Sequence, residues 1–135
     1  MIKKSLLISL LFLFFNTNLY GDWTLVSVNK QNKNRYYLDL STAKKSNGYI
    51  LVWQLADYVG KSPFTNFKKP VSAKVLLKVD CRLTGMKALE MIIYKGYMGS
   101  GKIVLSESFK DKKSDWKYFP PKSVGATQIK KACNK

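Results

Sequence analysis

The sequence predicts an α+β fold that is mainly β: an antiparallel sheet of about five to six strands, with a short C-terminal helix tethered to it by a disulfide. Three observations carry this expectation. The stretch SAKVLLKVDC puts Ala73, Val75, Leu77, Val79 and Cys81 on one side and Lys74, Leu76, Lys78 and Asp80 on the other, which is the period of two of a strand. Further runs rich in β-branched and aromatic residues are separated by short polar or glycine-containing turns. One convincing helical run stands at the C-terminus, and it carries the second of the two cysteines.

The chain opens on MIKKSLLISLLFLFFNTNLYG, with Lys3 and Lys4 ahead of an apolar run from Leu6 to Phe15. A run of ten residues is too short for a membrane-spanning helix, which needs about 20. No stop-transfer pattern follows, so residues 1–21 are expected to be a secretory signal peptide cut after Gly21. No cysteine lies near that point, which excludes lipid attachment at a new N-terminal cysteine. Residues 22–135 are expected to form a single domain without a transmembrane segment. A chain of this size buries about two-thirds of its unfolded surface.

The strands are expected in order. WTLVSV (Trp23 to Val28) leads through the turn NKQNKN to RYYLDL (Arg35 to Leu40), and the turn SNG leads to YILVWQLADY (Tyr49 to Tyr58). After the Gly- and Pro-punctuated loop VGKSPFTNFKKP come the strand at Ser72, then KALEMIIY (Lys87 to Tyr94) and KIVLSESF (Lys102 to Phe109). Sequential strands with short turns favour an antiparallel meander over βαβ crossovers. The helix is expected over Val124 to Cys133, with Ser123 as N-cap, Ala126, Ile129 and Cys133 on its apolar face, and Lys130 and Lys131 suiting the C-terminal end of the dipole.

Exported chains fold where disulfides persist, and two cysteines permit one intramolecular pairing. A Cys81–Cys133 bridge is therefore expected, against the alternatives of two free thiols or an intermolecular bridge. A loop of about 50 residues gives roughly 4 kcal/mol on the chain-entropy account. Two distant cysteines in a chain without histidine make a poor metal-ligand set.

The chain contains 24 Lys and Arg against 8 Asp and Glu, a net charge of +16. Setting aside Lys3 and Lys4 leaves +14, nearly all of it lysine, since Arg35 and Arg82 are the two arginines. Such an excess attracts anionic partners, whether nucleic acid, acidic glycan or lipid headgroups, or it serves as a solvated surface. The shortage of arginine and the expected export argue against nucleic acid. Two strands, Tyr49 to Tyr58 and Lys87 to Tyr94, are apolar on both sides. Either the sheet curls into a half-barrel, or a second subunit covers it as a homodimer.

Three stretches invite a chemical reading. GYMGSGK (Gly96 to Lys102) fits G-x-x-x-x-G-K, but Ile103 stands where a hydroxyl is needed and a strand follows where a helix should; its glycines read as a hairpin or bulge. Serines, lysines and acids could supply a hydrolase, yet the chain lacks histidine and any G-x-S-x-G elbow. Neither catalytic residues nor a cofactor is expected. In the third stretch, Phe64 and Phe67 stand among Lys61, Lys68 and Lys69. These five are candidate binding residues, with Lys74 and Lys78 as a second basic face; alternatively, the phenylalanines anchor the loop to the core.

In their order and spacing, DWTLVS, RYYLDLST, VWQLADY, SAKVLLKVDC, YKGYMGSG and PPKSVGATQIKKACN resemble the bacterial surface-adhesin protein E family over essentially the whole of residues 22–135. The resemblance implies a small exported β-sheet domain with a disulfide-tethered C-terminal helix, Cys81 and Cys133 being the matching positions. For function, it implies host-protein binding of the vitronectin and laminin kind. The expected function is thus an exported, non-enzymatic, adhesin-like protein whose basic surface binds an acidic or extracellular-matrix-type partner, an extracellular or envelope protein or an acidic glycan. The alternative is a structural or assembly protein of the bacterial envelope acting through dimerisation. The expected location is the periplasm, the outer surface or the medium.

Overall fold

The structure, a computed structural model, describes residues 21–110 and 115–134. Up to Tyr20, the expected signal segment lies outside the described residues. In chain order the elements are β1 (Thr24–Val28), β2 (Arg35–Leu38), β3 (Lys44–Ser46), β4 (Tyr49–Asp57), β5 (Ser72–Asp80), β6 (Gly85–Tyr94), a 3₁₀ turn (Tyr97–Gly99), β7 (Ile103–Ser108), β8 (Lys117–Tyr118) and α1 (Val124–Cys133). The long apolar runs pair with one another: β4 and β5 are antiparallel from Ile50 opposite Val79 to Asp57 opposite Ser72, and β6 flanks β5. The sheet runs β1-β2-β4-β5-β6-β7, with β3 beside β4 and β8 beside β6.

Those six strands are the ones read from the sequence; β3 and β8 were not. Lys44, Lys45 and Ser46 carry no apolar alternation, and β8 is two residues long. Both short strands take over where a longer neighbour peels away. The second half of β4 pairs with β2 and the first half with β3; the end of β6 pairs with β7 and its start with β8. Register shifts interrupt β1/β2, β5/β6 and β6/β7, and such bulges bend and twist a strand. The result is a curled sheet, one of the two arrangements expected of strands apolar on both sides.

Alternation places the even residues of β4 and the odd residues of β5 on the inner face. At one end Val52, Leu77 and Val79 pack with Leu38, Met86 and, from α1, Ile129 and Ala132. At the other end Ala56, Ala73 and Ile93 pack with Tyr58 and Val71 from the 59–71 loop side. Helix and loop thus cover two halves of one face.

Ser123 caps α1 as expected, its Oγ accepting from the Ala126 amide at 3.1 Å. The buried stripe is Gly125, Gln128, Ile129 and Ala132, so of the expected face Ile129 is central while Ala126 and Cys133 are half-buried. The stripe is offset for two reasons. A Cβ on Gly125 would lie 2.2 Å from the Phe119 ring, so the helix approaches as only glycine allows. Gln128 is buried because the Gln54 amide, on the inner face of β4, donates to its side-chain oxygen. Cys133 is bonded to Cys81, just past the end of β5, with Cα atoms 5.9 Å apart and a separation of 52 positions in sequence.

The GYMGSG stretch is the β6–β7 connection, and the conformations at Met98, Gly99 and Gly101 all have positive φ. It folds onto the outer side of the sheet end, where the Ser72 hydroxyl donates to the Gly96 carbonyl and accepts from the Gly99 amide. The Asp57 carboxylate accepts from the Met98 amide at 2.7 Å. Burial raises the Asp57 pKa, and the Met98 amide and the charge of Arg35 partly oppose that rise.

Two expectations follow from this packing. Cys81→Ser, Cys133→Ser and the double variant should lose the same stability, a few kcal/mol on the loop-closure scale of about 4 kcal/mol, by chemical denaturation; unequal losses would mean that one cysteine acts outside the bridge. A raised folded-state pKa at Asp57 gives a contribution that is full below the unfolded pKa and lost as pH rises through the folded one. Asp57→Asn, which keeps an acceptor for Met98, should therefore raise the melting temperature at neutral pH and flatten its acid-side pH dependence. A variant less stable than the parent at neutral pH would refute this.

Candidate interaction surface

The outer face receives what the inner face excludes. Tyr49, Leu51, Trp53 and Leu55 of β4 stand beside Lys74, Leu76 and Lys78 of β5, and Lys87, Ile92 and Tyr94 of β6 complete the row. The lysine amines sit over aromatic rings. Lys78 Nζ is 4.4 Å from the Tyr49 ring centroid, Lys87 Nζ 5.2 Å from that of Trp116, and Lys74 Nζ 5.1 Å from Tyr94 and 5.9 Å from Trp23. Tyr49 and Trp116 stack with centroids 5.5 Å apart. Such cation–π contacts contribute about 0.5–1 kcal/mol each at exposed positions. None of Leu51, Trp53, Leu76 and Ile92 is an exposed large hydrophobic residue. They are half-buried, so the second face is partly covered within one chain.

Lys78 and Lys87 lie directly opposite on neighbouring strands. Like charges in that position repel, and each ammonium leans over a different ring. Among the described residues the one ion pair joins Lys110 to Glu90 at 2.7 Å, so no carboxylate neutralises Lys74, Lys78 or Lys87. The carboxylate of Asp80 is occupied by the amides of Arg82 and Leu83 in the β5–β6 turn.

The loop candidates divide. Lys61, Lys68 and Lys69 are exposed, whereas Phe64 and Phe67 are half-buried and pack against the second core cluster. Phe64 meets Tyr58 edge-on at 5.5 Å, and burial raises the Tyr58 hydroxyl pKa well above its ordinary value, with the nearby Tyr36 adding to the shift. Burial also raises that of Tyr36, against a hydrogen bond from Asn34. The buried Asn34 organises the loop entrance, donating to the Lys61 carbonyl at 2.7 Å and accepting from the Gly60 amide at 2.8 Å. A Cβ at Gly60 would lie 1.7 Å from the Asn32 carbonyl oxygen. Lys69 Nζ donates to the Val59 carbonyl at 3.0 Å, and Lys95 Nζ to that of Lys68.

The structure consequently separates the seven candidates. Phe64 and Phe67 pack on the inner face, Lys61, Lys68 and Lys69 lie on the loop that covers it, and Lys74 and Lys78 point from the opposite face. With Lys74 and Lys78 the fold groups Lys87, Trp23, Tyr49, Tyr94 and Trp116, which sequence reading did not single out. The register of β5 against β6 was the available signal for Lys87. Trp116 lies outside every expected element, and no periodicity marks it.

A family model described as surface-adhesin protein E matches residues 23–134. No curated protein and no solved structure matches the chain.

Proposed function

The chain belongs to the surface-adhesin protein E family, and from that premise we propose that it is an exported, non-enzymatic, adhesin-like protein whose basic surface binds an acidic or extracellular-matrix-type partner. In this reading residues 1–21 direct export, and residues 22–135 act in the periplasm, at the outer surface or in the medium. The observation that carries it is the family match over nearly the whole chain. The lysine excess supports a partner of opposite charge, because Lys74, Lys78 and Lys87 have no carboxylate partner among the described residues. Among those residues no helix is long and apolar enough to cross a membrane.

A second reading, an envelope assembly protein acting through dimerisation, draws support from the two ends of the sheet. Leu25 and Val28 on β1 are 49% and 41% exposed, and Ile103 on β7 is 52% exposed, and open edge strands are templates for pairing with another chain.

If the basic-surface reading holds, affinity for heparin and for acidic matrix proteins should fall by orders of magnitude from low to physiological salt, as counterion release demands. The protein should remain a monomer at micromolar concentration by sedimentation. Salt-independent binding or no binding would overturn the charge-based reading, and a stable species of twice the mass would favour the edge-paired dimer.

A further inference from the structure

We propose that the outer face of the sheet is a binding site for an acidic polysaccharide, centred on Lys78, Lys87, Tyr49 and Trp116, with a second contact at Lys74, Trp23 and Tyr94. The inference rests on the reading above and assigns it a place and a ligand class.

The distribution of residue types is the first argument. All three tryptophans of the chain lie on this face: Trp53 by the alternation of β4, Trp23 beneath Lys74 and Trp116 against Tyr49 and Lys87. The inner face is built instead from Val, Leu, Ile, Ala and Met, with Tyr36, Tyr58, Phe119 and the loop phenylalanines but no tryptophan. A layer needed merely as cover has no use for tryptophan in particular, whereas half-exposed rings beside cations are suited to a partner with both an apolar face and an anionic rim.

The second argument is electrostatic. Lys78 and Lys87 face each other across the β5/β6 ladder, a repulsive arrangement that this face leaves uncompensated. Three nearby carboxylates are committed elsewhere, Glu90 to Lys110, Asp57 to the Met98 amide and Asp80 to the turn after β5, and Asp115, which lines a cleft with Lys87, forms no ion pair with it. An anionic group between the two ammonium heads removes the repulsion and gains two attractions. Lys74, Lys78 and Lys87 are half-buried, with part of each side chain in solvent.

The third argument selects the class of partner. A sugar ring presents a C–H face that stacks on an aromatic plane, and a sulfated or uronate-bearing sugar carries its charge at the ring's edge, where the lysines stand. Lysine heads are compact point charges without arginine's bidentate geometry, so they accept sulfate or carboxylate at varied positions. Lys74 and Lys78 are four residues apart on β5, a span of about 13 Å at roughly 3.3 Å per residue. That is longer than one sugar ring, so the ligand is a chain of several sugars.

The probe is a heparin oligosaccharide, followed by tryptophan emission and by direct affinity measurement on the exported protein. Binding should perturb the emission saturably. Lys78→Gln combined with Lys87→Gln should lower affinity by about tenfold or more and reduce the slope of log affinity against log salt by about 2, one unit per lost contact. Lys61→Gln with Lys68→Gln removes the same charge from the loop and should cost much less. Lys78→Arg with Lys87→Arg should retain binding. Trp116→Leu, which keeps every charge, should weaken heparin but leave poly-glutamate unchanged; should the Gln pair fail to fold, this variant and the Arg pair decide. Equal or greater loss from the loop pair, or heparin binding indifferent to Trp116→Leu, would overturn the site while leaving a basic-surface adhesin intact. Poly-glutamate or single-stranded DNA binding as tightly as heparin would overturn the polysaccharide assignment. If the unaltered protein bound none of these polymers even at low salt, the basic-surface reading would fall, and this inference with it.

Discussion

A sheet whose central strands are apolar on both faces has to be covered twice, and in a chain of this size few elements are available to do it. Because β4 and β5 pair over eight positions with alternating side chains, every apolar residue added to one face leaves its neighbours on the other. The inner face is divided between α1 and the 59–71 loop. Among the described residues the outer face receives no α-helix. It is closed by bulge-driven curl, by the 96–101 connection and by lysine ammonium groups lying over aromatic rings.

The devices that hold the inner cover follow from its weakness. A helix of ten residues is marginal alone in water, and α1 buries just one large aliphatic side chain, Ile129, together with Ala132. It is fixed instead at specific points: the Ser123 cap, the close approach at Gly125, the Gln54–Gln128 hydrogen bond and the bridge from Cys133 to Cys81. The loop is held in the same manner, with Asn34 bonded to two of its backbone groups and Phe64 and Phe67 inserted beneath it. Polar pins substitute for apolar area in both covers, which also fixes their register.

Much of this was legible because period and composition were strong where the elements are long. The alternation at Ser72–Asp80, the helical run Val124–Cys133, its Ser123 cap and the pairing of the two cysteines all reached the structure intact. What failed to show has a common cause. Ranking by hydrophobicity hides Gly125 and Gln128, which are buried for close approach and for a hydrogen bond, and it hides Lys44–Ser46, whose pairing is set by β4. Phe64 beside lysines reads either as surface or as a loop anchor until Tyr58 and Val71 are placed behind it. The outer row needed the register of three strands plus Trp116, and no local pattern contains that information.

The outer layer serves stability and leaves a charged, aromatic surface in solvent. Lys78 places its ammonium over the Tyr49 ring and still keeps part of its side chain in solvent, so one side chain serves both cover and charge display. The claim that this face, and not the loop, meets an acidic partner is tested most directly by the proton–nitrogen correlation spectrum during titration with a heparin oligosaccharide. The three tryptophan indoles give one signal each. The account predicts that the Trp116 and Trp23 indole signals shift in saturable fashion while the backbone amides of residues 60–69 stay in place. Movement of those amides with unshifted indoles would contradict it.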